Sequence, residues 1–99
     1  MDYITFGWDS VKFNKNIAKH GISFEEAKTV FYDENARLIP DFDHSEKEKR
    51  FIILGYSSKA RLLTVCHCYR KNNELIWIIS ARKATKFETN QYYNFNKGL

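Results

Sequence analysis

The stretch Ile76-Trp77-Ile78-Ile79-Ser80-Ala81-Arg82-Lys83-Ala84-Thr85 contains the end of an apolar strand, a pair of cations and the start of a helix. The β-branched and aromatic side chains in its first half favour a strand. Thr85, with Glu88 three residues later, predicts a helix N-cap with a capping box. The corner between strand and helix therefore holds Arg82 and Lys83 at a rigid edge, which suits the binding of a polyanion.

Two further strands are predicted before this corner. Hydrophobic patterning indicates strands over residues 50–56, 61–70 and 74–82, and short turns at residues 57–60 and 71–73 join them. Connections of this length are typical of hairpins, so the three strands are expected to form an antiparallel meander.

The N-terminal third predicts one strand and two helices. A short strand over residues 3–8 is followed by a helix that Asp9 caps and Gly21 ends. Ser23 and Glu26 have the spacing of a second capping box, and the helix that they begin carries one apolar stripe. We expect that stripe to cover one face of the sheet.

The remaining segments complete an α+β fold. Residues 36–40 predict an edge strand, because Pro40 cannot donate a hydrogen bond within a sheet. Residues 41–49 form a polar loop, and a last helix covers about residues 85–95. The predicted architecture is two N-terminal helices packed on a curled antiparallel β-sheet meander with a C-terminal helix, as a single domain over residues 1–99.

Composition narrows the class of protein. A chain of 99 residues, 43% of them hydrophobic, fits one small core. The sequence contains no apolar run close to the roughly 20 residues of a membrane helix, and its N-terminus lacks the cationic start of a signal peptide. We therefore expect a cytoplasmic protein that does not bind a membrane.

Charge is distributed unevenly along the chain. Residues 1–58 carry 8 Lys and Arg against 10 Asp and Glu, whereas residues 59–99 carry 8 against 2. A basic half with interleaved aromatic residues favours a nucleic-acid surface. A solvated basic face without a ligand is the alternative.

The register of the last two strands predicts a candidate catalytic face. A turn at residues 72–73 pairs Leu63 with Arg82 and leaves His67, Ser80 and Arg82 on one face. His67 and Arg82 then lie about 13 Å apart along the strands, at roughly 3.3 Å per residue. They would contact neighbouring phosphates, with His67 as general acid or base and Arg82 stabilising negative charge. A structural histidine hydrogen-bonded by a neighbour is an equal alternative for His67.

The opposite face of this register is more apolar and is expected to pack against helices; it carries Leu62, Cys66, Trp77 and Ile79. Cys66 and Cys68 share a face, and His67 points away from both, which is unsuited to a three-ligand metal cluster. The loop at residues 41–48 offers carboxylates and His44 but lacks the spacing of a calcium loop, so it is interpreted as a solvated loop. No metal or cofactor is predicted.

Two other pairs of residues have a structural and a functional interpretation. Lys19 and His20 end the first helix, where cations complement the helix dipole, and RNA contact is the less favoured role. Tyr92 and Tyr93 on the last helix could stack on bases or place a phenol near a phosphate, but core packing of at least one is favoured.

Several separated segments together carry a resemblance to a known family. They are Phe6-Gly7-Trp8-Asp9, Lys19-His20-Gly21-Ile22-Ser23-Phe24-Glu25-Glu26-Ala27, Pro40-Asp41-Phe42-Asp43-His44-Ser45, Arg50-Phe51, Leu54-Gly55, and Ile79-Ser80-Ala81-Arg82-Lys83-Ala84-Thr85 with Glu88 and Tyr92 behind it. In these segments the chain resembles the BrnT ribonuclease toxins of the BrnT/BrnA toxin–antitoxin systems, which are related in fold to the RelE toxins.

The resemblance implies a toxin that cleaves RNA, including ribosome-associated mRNA, and so inhibits translation and growth. It also implies neutralisation by a BrnA antitoxin with a ribbon-helix-helix part, through which alone the toxin would reach operator DNA. The implied reaction is metal-independent attack by an RNA 2′-hydroxyl on the adjacent phosphate. The implied catalytic residues are His67, Arg70, Arg82 and Tyr92, and the implied RNA-binding residues are Lys83, Lys86, His20 and Lys19.

Two details weaken the match at individual positions. The predicted register puts Arg70 on the other face from Arg82. Residues 86–87 and 89–90 stand where relatives tend to be rich in arginine, so contacts of the last helix with RNA are expected to be fewer.

Two functions of other classes stay open at this point. A non-catalytic RNA-binding module would bind RNA in a salt-sensitive way and leave it intact. A protein-interaction domain would use its basic surface for an acidic partner segment and would have negligible affinity for RNA.

Overall fold

A computed structural model describes residues 4–44 and 47–97 of the chain. The strands are β1 Thr5–Trp8, β2 Arg37–Pro40, β3 Arg50–Tyr56, β4 Leu62–Arg70 and β5 Leu75–Lys83. The helices are α1 Ser10–His20, α2 Phe24–Thr29 and α3 Lys86–Lys97, and short 3₁₀ turns cover Val30–Tyr32 and Phe42–His44. The predicted start of β1 at residue 3 lies outside the described residues. None of the helices in these two ranges has the length and apolar character needed to cross a membrane.

The strands form one mixed sheet in the order β1-β5-β4-β3-β2. Strands β2 to β5 make the predicted antiparallel meander, with β2 at an edge. β1 instead pairs in parallel with β5 at the other edge, so the prediction of a purely antiparallel sheet was wrong. The error arose because β1 is followed by a long crossover through α1 and α2, and its partner is the last strand rather than the next one.

The first two helices begin where their caps predict, and α1 also ends at its predicted stop. The carboxylate of Asp9 accepts hydrogen bonds from the first turn of α1, and Gly21 ends the helix with a φ of 68°. Ser23 Oγ accepts from the N–H of Glu26 at 3.0 Å. The Glu26 carboxylate does not complete the capping box, because it turns inward and pairs with Arg61.

Helices α1 and α2 cover one face of the sheet, called here the helix face. The core beneath them consists of Ile22, Phe24, Ala27, Val30, Ile53, Leu63, Val65, Ile78 and Ala81. Asn16 fixes α1 to β5: its side chain donates to the C=O of Ala81 at 2.8 Å and accepts from the N–H of Ala81 at 3.0 Å. The other side of the sheet, which carries the side chains of Leu62, Thr64, Cys66, Cys68 and Arg70, is called here the pocket face.

A β-bulge at Ile79 decides which side chains lie on the pocket face. His67 pairs with Ile78, but Cys66 pairs with Ser80, so that Ile79 is an extra residue in β5. The predicted pairing holds up to Ile78 and is wrong beyond it, because an extra residue shifts every later side chain to the opposite face.

Two predictions about the faces were therefore wrong. Arg82 pairs with Thr64 rather than with Leu63, so Arg82 and Ser80 lie on the pocket face and His67 lies on the helix face. The residues expected to pack against the helices, Leu62, Cys66, Trp77 and Ile79, belong to the pocket face instead.

Helix α3 lies across one end of the pocket face. Its N-terminus has the predicted capping box in full: Glu88 N–H donates to Thr85 Oγ1 at 3.1 Å, and Thr85 N–H donates to Glu88 Oε1 at 2.8 Å. Further along the helix, Tyr92 packs edge-on against Tyr56 of β3, with ring centroids 5.5 Å apart. These contacts place the start of α3 beside the end of β5.

Candidate active site

A cavity of about 450 Å³ opens on the pocket face between the sheet and the segment that follows β2. Its lining combines three cationic or imidazole groups with carboxylates, hydroxyls and apolar side chains. The lining residues are Asp41, Asp43, His44, Arg50, Ile52, Thr64, Cys66, Ile79, Ser80 and Arg82. A volume of this size falls in the range of small-molecule binding sites, about 300–1,000 Å³.

Asp41 and His44 form an oriented pair at one wall of the cavity. The backbone N–H of Asp41 donates to the C=O of Arg50 at 2.8 Å, which extends the pairing of β2 with β3 by one residue. One 3₁₀ turn later, His44 Nδ1 lies 3.1 Å from both carboxylate oxygens of Asp41. The Asp41 side chain is 11% exposed, whereas that of His44 is 66% exposed.

This pairing fixes the chemistry of the imidazole. Because a carboxylate only accepts hydrogen bonds, Nδ1 of His44 carries the hydrogen, and Nε2 of the neutral ring has the free lone pair. An aspartate that holds a histidine in this tautomer is a common arrangement in general-base catalysis. His44 is thus able to take a proton from a group bound in the cavity.

Arg82 provides a positive charge in the same cavity. Its NH1 and NH2 donate to the two carboxylate oxygens of Glu88, at 2.7 and 2.9 Å. Burial on its own would raise the pKa of Glu88, but hydrogen bonds from Arg82 and from the Thr85 N–H lower it to about 2. Glu88 is therefore ionised near neutral pH, and Arg82, which has five donor hydrogens, retains others for a phosphate.

Arg50 of β3 and Cys66 of β4 add a guanidinium group and a thiol to the part of the sheet that lines the cavity. Arg50 begins β3 and lines the same cavity as Arg82, so two guanidinium groups belong to one site. Burial raises the pKa of the Cys66 thiol, and the nearby Asp41 carboxylate raises it further. Cys66 is for that reason a thiol rather than a thiolate nucleophile near neutral pH. Among residues 4–44 and 47–97, no group of three or more His, Cys, Asp or Glu residues could hold a metal ion.

Comparison with known families identifies the family of the chain. A sequence model of the family described as "Ribonuclease toxin, BrnT, of type II toxin-antitoxin system" matches residues 8–88. The chain belongs to this family of BrnT ribonuclease toxins. The matched segment contains every residue that lines the cavity.

A solved structure shows that the fold is shared as well. The crystal structure of the Brucella abortus ribonuclease toxin BrnT matches this chain with a TM-score of 0.66 and 23% sequence identity. The alignment covers 85% of this chain and 100% of that one. None of the curated proteins matches the sequence.

His67 lies away from the cavity. It is fully buried on the helix face, where the ring of Phe31 contacts it edge-on at 4.7 Å between centroids. Its Nδ1 lies 3.3 Å from the C=O of Val65, and its Nε2 lies 3.2 Å from the hydroxyl of Tyr69. Burial lowers the pKa of His67 to about 4. These are the contacts of a neutral structural histidine, the alternative that the sequence left open.

Arg70 was predicted on the opposite face from Arg82, but the bulge puts both side chains on the pocket face. Arg70 lies at the far end of β4 from the partner of Arg82. Its guanidinium stacks 4.4 Å above the ring of Trp77 and pairs with Glu48 at 3.2 Å. It lies six residue steps along β4 from Thr64, the partner of Arg82, which corresponds to about 20 Å at roughly 3.3 Å per residue.

The structure places the other predicted site residues in three different settings. Tyr92 is buried and donates from its hydroxyl to Asp33 at 2.8 Å; burial, and then Asp33, raise its pKa well above the usual range. Lys83 and Lys86 are exposed at the corner between β5 and α3, next to Arg82 in the chain. Lys19 and His20 end α1, on the other side of the sheet from the cavity.

The sequence interpretation missed the Asp41–His44 pair. A usable pattern was present, since an Asp three residues before a His suits a contact within one turn, and the segment Pro40–Ser45 carried part of the family resemblance. It was interpreted as a solvated loop because it lacks the spacing of a calcium loop. Its position over the sheet depends on the pairing of Asp41 with Arg50, which no local pattern reveals.

Proposed function

We propose that this chain is an endoribonuclease that cleaves RNA without a metal ion, and that its active site is the cavity between His44 and Arg82. The observation that carries the proposal is an imidazole oriented by Asp41 in the same cavity as two guanidinium groups. Membership in a ribonuclease toxin family supports the class of reaction.

In the proposed reaction, His44 Nε2 removes the proton of an RNA 2′-hydroxyl, and the 2′-oxygen attacks the adjacent phosphorus. A bond from the 2′-oxygen to phosphorus forms while the bond from phosphorus to the 5′-oxygen breaks. The leaving oxygen takes a proton from water or from the protonated His44. Arg82 and Arg50 stabilise the negative charge that develops on the phosphoryl oxygens. The products are a 2′,3′-cyclic phosphate and a 5′-hydroxyl.

The proposed biological setting follows from the family. A type II toxin–antitoxin system implies a protein antitoxin that neutralises the toxin. We propose a BrnA-type antitoxin with a ribbon-helix-helix part, through which the complex contacts operator DNA, and inhibition of translation and growth when the toxin is unbound. A relation to the RelE fold belongs to the same proposal. The cationic second half of the chain supports binding of RNA and of an acidic antitoxin segment.

The first prediction concerns His44 and Arg82. Purified wild-type protein should cleave an RNA oligonucleotide, and His44→Ala should lower kcat/KM by about 10²–10⁴, the usual contribution of a general base. Arg82→Ala should lower it by about 10²–10³, as expected for loss of a charge-stabilising donor. His20→Ala is the matched histidine control and should cleave like the wild type, because His20 lies across the sheet from the cavity.

Two further reactions test the chemistry. The same sequence as DNA should stay intact, since it lacks the attacking hydroxyl, and EDTA should not change the rate on RNA. Cleavage of DNA as fast as RNA, or loss of activity with EDTA, would contradict the proposed mechanism. Full activity of His44→Ala with reduced activity of His20→Ala would move the general base out of this cavity.

A further inference from the structure

The hydroxyl of Thr64 is a buried polar group in the floor of the cavity. Thr64 is 5% exposed. Its hydroxyl is close enough to the Glu88 carboxylate to help lower the pKa of that group, but Oγ1 makes no hydrogen bond of ordinary length and angle within residues 4–44 and 47–97. Buried hydroxyl groups are almost always hydrogen-bonded, so each exception requires a physical reason. Thr64 lines the same cavity as His44 and Arg82, which suggests that its partner is a bound molecule.

The position of Thr64 in the sheet relates it directly to Arg82. The two residues are cross-strand partners in β4 and β5, on the pocket face. Side chains at such positions lie side by side, with Cβ atoms about 4.5–5.5 Å apart. A group held by Arg82 on this face is consequently within reach of the Thr64 hydroxyl.

We propose that Thr64 donates a hydrogen bond to a phosphate oxygen of the RNA held by Arg82. The inference rests on the proposed function, and it adds a substrate contact from the sheet floor. A hydroxyl has one hydrogen to donate, and an anionic phosphate oxygen is its strongest acceptor. Because Glu88 already takes two donors of Arg82, a neutral donor beside it completes the phosphate site without a further charge.

Two substitutions separate this role from a structural one. Thr64→Val keeps the shape of the side chain and removes the hydroxyl, whereas Thr64→Ser keeps the hydroxyl. Removing a buried hydroxyl that has only a weak interaction with the Glu88 carboxylate should leave Tm nearly unchanged or raise it slightly. The contact with RNA should weaken at the same time, so function is expected to fall without a loss of stability.

The experiment compares wild type, Thr64→Val and Thr64→Ser in three measurements. They are Tm, kcat/KM on an RNA oligonucleotide, and the Kd of the same sequence with every 2′-hydroxyl methylated, which cannot be cleaved. Thr64→Val should have an equal or higher Tm, with kcat/KM reduced and Kd increased by about tenfold or more, as expected for a hydrogen bond to a charged group. Thr64→Ser should retain most of the wild-type kcat/KM and most of the affinity for the methylated RNA.

The outcomes distinguish this proposal from the proposed function. If the wild type cleaves RNA and Thr64→Val cleaves and binds RNA equally well, the proposed Thr64 contact is wrong and the proposed ribonuclease activity is supported. If the wild type leaves RNA intact but Thr64→Val weakens binding of the methylated RNA, the contact is supported and the proposed ribonuclease activity is wrong. The inference would be overturned if none of the three proteins bound RNA. It would also be overturned if Thr64→Val had a lower Tm that accounted for its lost activity.

Discussion

Burial gives two histidines of this chain opposite properties. His44 is mostly exposed and is oriented by the carboxylate of Asp41. His67 is enclosed by the aromatic ring of Phe31 and by the sheet, and its pKa falls to about 4 because a charged imidazole would lose its hydration there. At the scale of the residue, therefore, only His44 is placed to exchange a proton with a ligand in the cavity.

The burial of His67 predicts a dependence of stability on pH. The unfolded chain binds a proton at His67 below about pH 6.5, whereas the folded chain binds it only below about pH 4. Between these values the unfolded state holds more protons, so the free energy of unfolding should fall as pH decreases, by about 3 kcal/mol in all from this group. Urea denaturation of wild type and His67→Leu from pH 7.5 to 4 should show a steeper loss of stability in the wild type, and the difference between the two curves is the contribution of His67.

The comparison of the two proteins removes the effect of the carboxylates, because these titrate alike in both. Parallel curves for wild type and His67→Leu would show that His67 is not held neutral. His67→Leu should also retain the RNA cleavage of wild type, if it folds, because the side chain does not line the cavity.

At the scale of the element, the bounds of helices and strands could be predicted and the pairing only in part. Asp9, Gly21, Ser23 and Thr85 mark helix ends through local hydrogen bonds, and local hydrogen bonds can be inferred from local sequence. The bulge at Ile79 could not be inferred, because it depends on how two strands align across the sheet. The parallel partner of β1 depends on contacts with the opposite end of the chain.

The same distinction explains what was predicted of the site. Arg82 was singled out because it stands at a strand end before a capping box, both of which are local features. His67 was expected on the same face as Arg82 because the faces were inferred from an unbulged register. His44 was passed over because its contact with Asp41 depends on the turn between them and on the sheet beneath.

Helix α3 is anchored by Tyr92, which predicts a structural role for this phenol. Tyr92→Phe removes its hydrogen bond to Asp33 and should lower the free energy of unfolding by about 1–2 kcal/mol, since Asp33 keeps the N–H of Tyr56 at 2.8 Å. Cleavage per folded molecule should be unchanged. Tyr93→Phe is the control within the same helix and should have a smaller effect, because Tyr93 is half exposed and bonds only the Tyr56 hydroxyl among the contacts described.

Urea denaturation at pH 7 measures the change in the free energy of unfolding. Initial cleavage rates at urea concentrations below the denaturation midpoint measure cleavage per folded molecule. Loss of cleavage by Tyr92→Phe without loss of stability would assign the phenol a catalytic role, as the family resemblance implied.

At the scale of the whole molecule, the formal net charge of +4 is concentrated in the second half of the chain. Strands β4 and β5 and helix α3 belong to that half, so the cavity opens next to a cationic corner. A polyanion approaching this surface releases counterions, and its affinity falls as salt increases. The fold thus brings long-range attraction and the proposed chemistry to one side of the sheet.

The contribution of this corner can be measured from salt dependence. Lys86→Gln should reduce the slope of log K against log salt for the methylated RNA by about 0.7, the value for one phosphate contact of a single strand. Lys83→Gln should reduce it less, because Lys83 pairs with Leu63 on the helix face of β5. Lys15→Gln on α1 is the control and should leave the slope unchanged, because α1 covers the helix face. Equal slopes for all four proteins would place the RNA elsewhere.

The bulge at Ile79 has a consequence for inferring active sites from aligned relatives. The strand of a relative that has no bulge could be aligned with β5 without a gap. Its arginine at the position of Arg82 would then lie on the helix face, in the core, instead of on the pocket face. An identical residue at one position of an alignment therefore has the same role in two such proteins only when both strands carry the bulge at the same position. At 23% identity, comparing strand pairing is a stricter criterion of equivalence than comparing letters.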